Sequence, residues 1–302
     1  MPCYHPIPAY RLPSGSVVFH DKGDGSPFEV PCGRCVGCRL DKSRVWALRC
    51  VHEASLHDEN SFITLTYAPE HLPSDGGLVK EDFQKFMKRL RKKFAPRRIR
   101  YYMCGEYGDR TNRPHYHALL FGLDFSDREA LPPSASGADL FTSKTLEKVW
   151  GKGFVTVGDV TFESAAYCAR YIMKKLNGPA CEVVNDETGL RPYERFDSRT
   201  GEIVEVEKEY CAMSRRPGIA RDWIQKFTGD CYPKDFVTVR GVKVRPPRYY
   251  DQYLESVNPD LLDDVKAQRA FVSSLSDDNS ELRLSQKKTV KEAQFDQLKR
   301  NL

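Results

Sequence analysis

The sequence predicts an α+β protein built on a central, mostly antiparallel β-sheet flanked by helices. Between about residues 61 and 178, short β-rich segments alternate with helical segments. The β-rich segments outnumber the helices that could cross over between parallel strands. Two of them, IRYYMC and HYHALLFG, are joined through the turn-forming segment YGDRTNRP, which is typical of an antiparallel hairpin.

Each element of this prediction has a local signal. FITLTY is rich in β-forming residues and ends where Pro69 and Pro73 favour a turn. KEDFQKFMKRLRKKF predicts a helix, because its apolar residues recur at helical intervals and leave basic residues on the outer face. A second helix at about residues 142–150, a strand in FVTVGDV and a third helix in ESAAYCARYIMKKL follow. The apolar positions of the first helix are Phe83, Phe86, Met87, Leu90 and Phe94.

The chain divides into three parts by composition. Residues 1–60 hold the Cys-rich segment PCGRCVGCR and a predicted helix, DKSRVWALRCVHEASL. Residues 61–178 contain the alternating segments and form the predicted central domain. Residues 179–302 are rich in proline and charge, and we interpret them as an accessory region that ends in a solvated helix or a mobile tail.

Composition limits the class of protein. The chain has 302 residues, of which 40% are hydrophobic, so one main domain with extensions is expected. No apolar run reaches membrane-spanning length, and the N-terminus lacks the basic-then-apolar order of a signal peptide. We therefore expect an intracellular protein without a membrane partner. Its ten cysteines should then be mostly reduced, which makes clustered thiols candidates for metal binding.

Two histidines one residue apart indicate a metal site. On a strand, His115 and His117 point to the same face while Tyr116 points to the other. The predicted hairpin brings Glu106 close to them as a third ligand of harder character. An H-x-H pair alone is more often two polar residues at a strand end. The nearby carboxylate and the tyrosines described next favour a divalent metal instead.

Two tyrosines in the third predicted helix are candidate nucleophiles. Tyr167, Tyr171 and Lys174 fall on the stripe opposite the apolar one, with Arg170 beside them. A tyrosine can attack phosphorus when a divalent metal polarises the phosphate and nearby cations hold its charge. A helical Y-x-x-x-Y pair taken alone is equally consistent with a surface position.

A basic segment predicts phosphate contacts. Ten Lys or Arg residues lie between Lys80 and Arg100, against two acidic residues. Such a patch attracts DNA backbone if it lies on one face, although a solvated helix surface is the ordinary alternative. The candidate DNA-binding residues are Lys88, Arg91, Lys92, Arg97, Arg98 and Arg170.

The cysteine spacing predicts a structural zinc site. Cys32, Cys35 and Cys38 form C-x₂-C-x₂-C, which lets consecutive thiolates turn around one ion. Cys3 is the expected fourth ligand, with His5 and Cys50 as rivals. The alternative is a set of reduced thiols in a Gly-rich turn.

These motifs together resemble the HUH endonuclease superfamily, in particular the two-tyrosine replication initiators of the microviruses and their gokushovirus-like branch. FITLTYAPEHLP is similar to the first motif of that family, GEYG through HYHALLFG to its metal motif, and YCARYIMKK to its tyrosine motif. PCGRCVGCR and MSRRPGIA also look like family stretches.

The resemblance implies Mg²⁺ or Mn²⁺ held by His115, His117 and Glu106, nucleophiles at Tyr167 and Tyr171, and a supporting Lys174. It further implies a rolling-circle initiator that nicks phage replicative-form DNA at its origin through a phosphotyrosine, then religates the displaced single-stranded circle. Because the sequence has no G-x-x-x-x-G-K-[ST] loop, a host helicase is expected, together with a host DNA polymerase in the bacterial cytoplasm.

Two other functions explain part of this pattern. A non-enzymatic, zinc-containing nucleic-acid binder explains the cysteines but gives the His pair and the tyrosines no role. One-tyrosine HUH transposases are usually shorter, and relaxases usually have a third histidine and an N-terminal nucleophile, so neither description fits.

Overall fold

The computed structural model describes residues 3–21, 23–108, 111–132, 137, 139–170, 178–275 and 280–299. Tyr171 and Lys174 lie outside the described residues. Two compact units are found: Met1–Ser43 with Leu254–Leu302, and Arg44–Tyr253. No helix within the described residues is long and apolar enough to span a membrane.

The strands and helices of the described residues are numbered in chain order. The strands are β1 (Ile7–Arg11), β2 (Val17–Val18), β3 (Ser26–Val30), β4 (Asn60–Thr66), β5 (Arg100–Tyr107), β6 (Pro114–Phe121), β7 (Arg128–Ala130), β8 (Phe141–Ser143), β9 (Val155–Gly158), β10 (Glu194–Phe196), β11 (Ile203–Glu205), β12 (Tyr210–Met213), β13 (Val237–Val239) and β14 (Val242–Val244). The helices are α1 (Val36–Ala54), α2 (Lys80–Lys93), α3 (Lys144–Trp150), α4 (Phe162–Arg170), α5 (Arg221–Lys226), α6 (Thr228–Cys231), α7 (Arg248–Val257), α8 (Pro259–Ser274) and α9 (Glu281–Lys299).

A seven-stranded sheet organises the larger unit. Its order is β12-β5-β6-β4-β9-β8-β7, and every neighbouring pair is antiparallel. This confirms the predicted α+β class with a central antiparallel sheet and flanking helices. The hairpin predicted from the turn YGDRTNRP is the β5–β6 pair, the second and third strands of the sheet.

Helices cover both faces of this sheet. On one face, α2 and α3 close the main core, in which Phe86, Leu90 and Trp150 are fully buried. The predicted apolar stripe of α2 is confirmed, since Phe83, Phe86, Met87 and Leu90 are all buried. On the other face, Trp46 of α1 packs against Tyr102 of β5 with ring centroids 5.0 Å apart.

The unit boundaries differ from those of the three segments proposed from composition. β12 lies in the segment interpreted as accessory, yet it pairs with β5 as an edge strand of the central sheet. The part of α1 from Arg44 onward likewise belongs to the larger unit. Backbone hydrogen bonding of β12 and burial of α1 thus join these regions to the sheet, and composition alone carries no signal for either.

The smaller unit is described by itself. It contains the three-stranded sheet β2-β1-β3 and the helices α8 and α9. The charged C-terminal stretch, interpreted from sequence as a helix or a mobile tail, forms α9 over Glu281–Lys299.

Candidate active site

Strand register brings the three predicted metal ligands together. Glu106 of β5 is the direct cross-strand partner of His115 of β6, and His117 lies two residues further along on the same face. The Nε2 atoms of His115 and His117 lie 2.7 Å and 3.1 Å from the same carboxylate oxygen, Oε1 of Glu106. Three potential ligand atoms therefore converge on one point above β5 and β6.

Hydrogen bonds on the far side of each imidazole ring fix its orientation. The Nδ1–H of His115 donates to the backbone carbonyl of Arg113 at 3.0 Å. The Nδ1 of His117 is 2.9 Å from the hydroxyl of Thr64, its cross-strand neighbour on β4. Both contacts aim Nε2 at Glu106, which is the arrangement that orients imidazoles as metal ligands.

The electrostatics of Glu106 suit a cation. Burial alone raises the pKa of this carboxyl group, but hydrogen bonds from His115 and His117 outweigh burial and hold its pKa below the usual value. Glu106 and His117 are only 2% and 5% exposed, whereas the His115 side chain reaches 17%. The group therefore carries a buried negative charge and is open to solvent on the His115 side.

The donor set fits a divalent ion. One ligand atom each from Glu106, His115 and His117 lies within 4.8 Å of the others, so all three can contact one ion. A carboxylate with two imidazoles leaves further positions on the ion for oxygen atoms of a substrate. Binding requires neutral imidazoles, so it releases any proton shared between a histidine and Glu106.

Tyr167 contacts this centre. It lies on α4, whose Ala165, Cys168 and Ala169 are buried. The Tyr167 ring meets the His117 ring edge-on with centroids 5.2 Å apart, and a thiol contact between Cys168 and Cys104 ties α4 to β5. Arg170 ends the described part of α4 and is half-buried.

Two residues of the site were missed in the sequence. Thr64 orients His117, and Phe62 stacks on the His117 ring with centroids 5.6 Å apart and planes 10° apart. Both lie in FITLTY on β4. Both residues lie near His117 because β4 pairs with β6, and these strands are not consecutive in the sequence. The alternation of FITLTY shows only that Phe62 and Thr64 share one face of their strand.

The predicted basic residues are not all at this site. Lys88, Arg91 and Lys92 are exposed on α2, and α2 covers the face of the sheet that carries Tyr116, opposite the histidines. Arg91 donates hydrogen bonds to the backbone carbonyl of Ile99, and Arg97 forms an ion pair with Glu59. The structure therefore separates α2 from the Glu106–His115–His117 centre.

The four predicted thiol ligands form a second candidate metal centre in the smaller unit. Their sulfur atoms lie within 4.8 Å of one another, and neither His5 nor Cys50 belongs to this group in the described part of the chain. A tetrahedral zinc site with Zn–S bonds of about 2.3 Å has sulfur–sulfur edges of about 3.8 Å. The Cys3 and Cys35 sulfurs are 3.9 Å apart.

Backbone amides surround these sulfurs. The N–H groups of Cys32 and Cys35 donate to the sulfurs of Cys3 and Cys32 at 3.2 Å and 3.3 Å, and that of Tyr4 donates to Cys35 at 3.4 Å. Such donors stabilise thiolates, the form that binds metals. All ten cysteines of the chain are free of disulfides.

Comparisons with known proteins agree on one family. Residues 60–176 match the model of the family described as Replication-associated protein ORF2/G2P. The chain is 33% identical to Replication-associated protein ORF2 of Spiroplasma virus 4 over 90% of this chain and 87% of that protein. It is 32% identical to Replication-associated protein VP4 of Bdellovibrio phage phiMH2K over 86% and 79%, respectively. It is 35% identical to Replication-associated protein ORF4 of Chlamydia phage 1, over 49% of this chain and 39% of that protein. No solved structure matches significantly.

Proposed function

The chain belongs to the family of phage replication-associated proteins, and we propose that it is an HUH-type endonuclease that initiates rolling-circle replication. In this proposal it nicks one strand of the replicative-form DNA at the origin and later rejoins the displaced circle. The observation that carries it is the contact of Tyr167 with His117, because a nucleophile lies beside a site able to hold a metal.

Glu106, His115 and His117 would hold the catalytic Mg²⁺ or Mn²⁺. A bound divalent ion supplies positive charge that polarises a phosphodiester and stabilises its developing negative charge. Imidazole nitrogens suit Mn²⁺ better than Mg²⁺, so we expect tighter binding of Mn²⁺. The hydrogen bond between His117 and Thr64 and the one from His115 to the Arg113 carbonyl would keep both imidazole rings in place around the ion.

Tyr167 is proposed as one nucleophile. Its hydroxyl oxygen forms a bond to phosphorus as it releases its proton, and the bond from phosphorus to the 3′-oxygen breaks. The 3′-oxygen takes up a proton and becomes the primer end for a host polymerase. The phosphotyrosine retains the energy of the broken bond, so attack by a 3′-hydroxyl reverses the step and closes a circle without ATP.

Tyr171 is proposed as the second nucleophile and Lys174 as a cation that supports it. Both assignments rest on the sequence resemblance, since these residues lie outside the described part of the chain. One helical turn separates positions 167 and 171 in a continuous helix, so both hydroxyls could then reach one phosphate.

An exposed aromatic residue lies on the sheet face that carries the metal ligands. Thr66 of β4 is the cross-strand partner of His115, and its N–H donates to the carbonyl of Phe154. This hydrogen bond extends the β4–β9 pairing by one residue, so Phe154 lies opposite Thr66 and on the same face of the sheet as His115. Phe154 is 64% exposed. An exposed aromatic ring next to a phosphate-cleaving centre is suited to stacking an unpaired base.

Covalent adduct formation tests the proposal. The purified chain is incubated with Mn²⁺ and labelled single strands that tile the genome encoding it, and adducts are resolved by denaturing electrophoresis. We expect one strand to yield a covalent adduct. Changing His115 and His117 to Ala should reduce adduct formation at least about a hundredfold, because metal assistance contributes several kcal/mol.

The control for this loss is the His20→Ala, His71→Ala double variant, which removes two exposed histidines from other positions. It should form the adduct normally. Non-specific DNA affinity should persist in the His115, His117 variant, since phosphate contacts lie elsewhere. DNA binding without any adduct from the unaltered chain would support the non-enzymatic alternative, and wild-type cleavage by the His115, His117 variant would show the metal site to be misassigned.

A further inference from the structure

An arginine-lined cleft lies at the end of the central sheet, away from the candidate active site. Its volume is about 760 Å³. One wall comes from the end of α2 and the segment that follows it, the floor from the start of β5, and the other wall from the end of β12 and the segment after it. The lining residues are Gln84, Arg91, Arg97, Arg98, Ile99, Arg100, Tyr101, Ala212, Met213, Ser214, Arg215 and Arg216.

The charge of this cleft is one-sided. Six of its twelve lining residues are arginines, and none is acidic. Arg98, Arg215 and Arg216 are exposed, and no carboxylate among the described residues forms an ion pair with any of them. Like charges held together without counter-charges repel one another, so their clustering favours a polyanionic ligand.

The other arginines build the cleft. Arg100 is buried and forms an ion pair with Glu53 at 2.5 Å, while its guanidinium also donates to the Pro217 carbonyl. Arg91 donates to the Ile99 carbonyl and lies 5.5 Å above the Tyr101 ring. The hydroxyl of Ser214 accepts from the Tyr101 N–H, which holds the second wall against β5. These hydrogen bonds fix the walls of the cleft, from which Arg98, Arg215 and Arg216 project.

The cleft is distinct from the metal-binding centre. Tyr101 and Glu106 lie at opposite ends of β5, five residues apart. At about 3.3 Å per residue this separation is roughly 17 Å. Tyr101 points to the face covered by α2 and Glu106 to the opposite face, so a DNA strand that engages both sites at once has to pass around the sheet.

The chemistry of the cleft selects a single-stranded polyanion. Guanidinium groups bind phosphate oxygens in pairs and stack on base planes, which lysines do less well. An open groove of this volume has room for a short length of a single strand along its arginines. We propose that this cleft binds the phosphate backbone of single-stranded DNA that flanks the nick site, as a second anchoring site of the enzyme. This inference rests on the proposed function, which supplies the single strand.

A charge-removal variant tests the cleft. Arg98→Gln, Arg215→Gln, Arg216→Gln should weaken binding of a fluorescent thymidine homopolymer by at least about tenfold at moderate salt. Loss of three single-strand phosphate contacts should also lower the slope of log affinity against log salt by about 2. The Lys148→Gln, Lys226→Gln, Lys234→Gln variant removes the same charge from exposed positions outside the cleft and should bind nearly as the unaltered chain does.

A second variant guards against a folding artefact. Arg98→Lys, Arg215→Lys, Arg216→Lys keeps the charges, so the salt slope should return towards that of the unaltered chain while affinity recovers only in part. Equal affinity of the Gln variant and the unaltered chain for the homopolymer would overturn the proposal. If the Gln variant lost affinity for duplex DNA but not for the homopolymer, the proposal would also be overturned, and the cleft would be a duplex contact.

This outcome is separable from that of the proposed function. A short strand that covers only the nick site should be cleaved equally by the Gln variant and the unaltered chain, because it does not reach the cleft. If the unaltered chain forms no adduct, the endonuclease assignment fails, and the homopolymer titration still decides whether the cleft binds single strands.

Discussion

Tyr167 is the residue on which the proposed chemistry depends most directly. Its ring lies against both His117 and Phe62, with centroids 5.2 Å and 6.2 Å away. These two contacts orient the tyrosine ring at the candidate metal site. The sequence predicted that it leaves the apolar stripe of its helix. It could not predict the contact with His117, since that contact depends on how α4 crosses β5 and β6.

Replacing Tyr167 by Phe isolates the hydroxyl group. The ring contacts survive, so the fold should be unchanged, and some adduct should still form through Tyr171. Repeated rounds of circle release should be lost because only one nucleophile remains. We expect Tyr167→Phe, Tyr171→Phe to form no adduct, as measured by peptide mapping of trapped protein–DNA complexes.

The Tyr249→Phe variant is the control, since Tyr249 is likewise half-buried but packs on Arg49. Lys174 follows Tyr171 by three residues, which makes Tyr171 our choice for the first nick, although Arg170 stands in the same relation to Tyr167. An adduct mapped to neither tyrosine removes the basis of the assignment.

At the scale of elements, the spacing of apolar residues predicted the helices better than it predicted which strands pair with each other. The apolar stripe of α2 is a local pattern, and it is present in the structure. The segment HYHALLFG was likewise predicted as a strand from its local sequence, and it lies almost entirely in β6. β7, β8 and β12 have only three or four residues each. β7 and β8 pair with the next strand along the chain, whereas β12 pairs with β5, about a hundred residues earlier in the chain. A short segment carries too little pattern to reveal such a partner.

The docking of α1 provides a pH-dependent prediction. His52 of α1 is buried, stacks on Trp223 of α5 with centroids 3.6 Å apart, and contacts the Tyr250 hydroxyl of α7 at 2.7 Å. Burial lowers the pKa of His52 to about 3. In the unfolded chain His52 takes up a proton near pH 6.5. The contribution of neutral His52 to the free energy of unfolding is therefore fully present above that pH and is lost progressively as pH falls towards 3.

The size of this effect follows from linkage. The free energy of unfolding should fall by about 2 kcal/mol between about pH 7 and pH 5 because of His52 alone. Urea titrations at the two pH values should show that loss in the unaltered chain and a smaller one in His52→Gln. His20→Gln changes an exposed histidine and should keep the full loss. An identical pH response of His52→Gln and the unaltered chain would contradict this account.

For the whole molecule, similarity to the relatives extends well beyond the sheet. The relation to the Spiroplasma virus 4 protein covers 90% of the chain, whereas the family model matches only residues 60–176. The alignment with the Spiroplasma virus 4 protein therefore reaches into the smaller unit. The cysteine group is the one candidate metal centre of that unit among the described residues. The C-x₂-C-x₂-C spacing predicted three of these ligands from local sequence. Cys3 lies 29 residues before Cys32. At that separation the sequence did not distinguish Cys3 from His5 and Cys50 as the fourth ligand.

We propose zinc as the metal of this cysteine group, and its removal should affect the two units differently. Thiolate ligands bind zinc tightly, and metal that binds only the folded form stabilises it by several kcal/mol or more. The purified chain should carry one zinc that persists in the His115→Ala, His117→Ala variant. A strong chelator, or Cys35→Ser, should release it and make residues 1–43 sensitive to protease while a fragment near 44–253 stays protected. Cys211→Ser, which changes a half-buried cysteine outside the group, should retain zinc and protease resistance. Absence of zinc by elemental analysis, with unchanged proteolysis in chelator, would instead identify the four thiols as a reduced, metal-free turn.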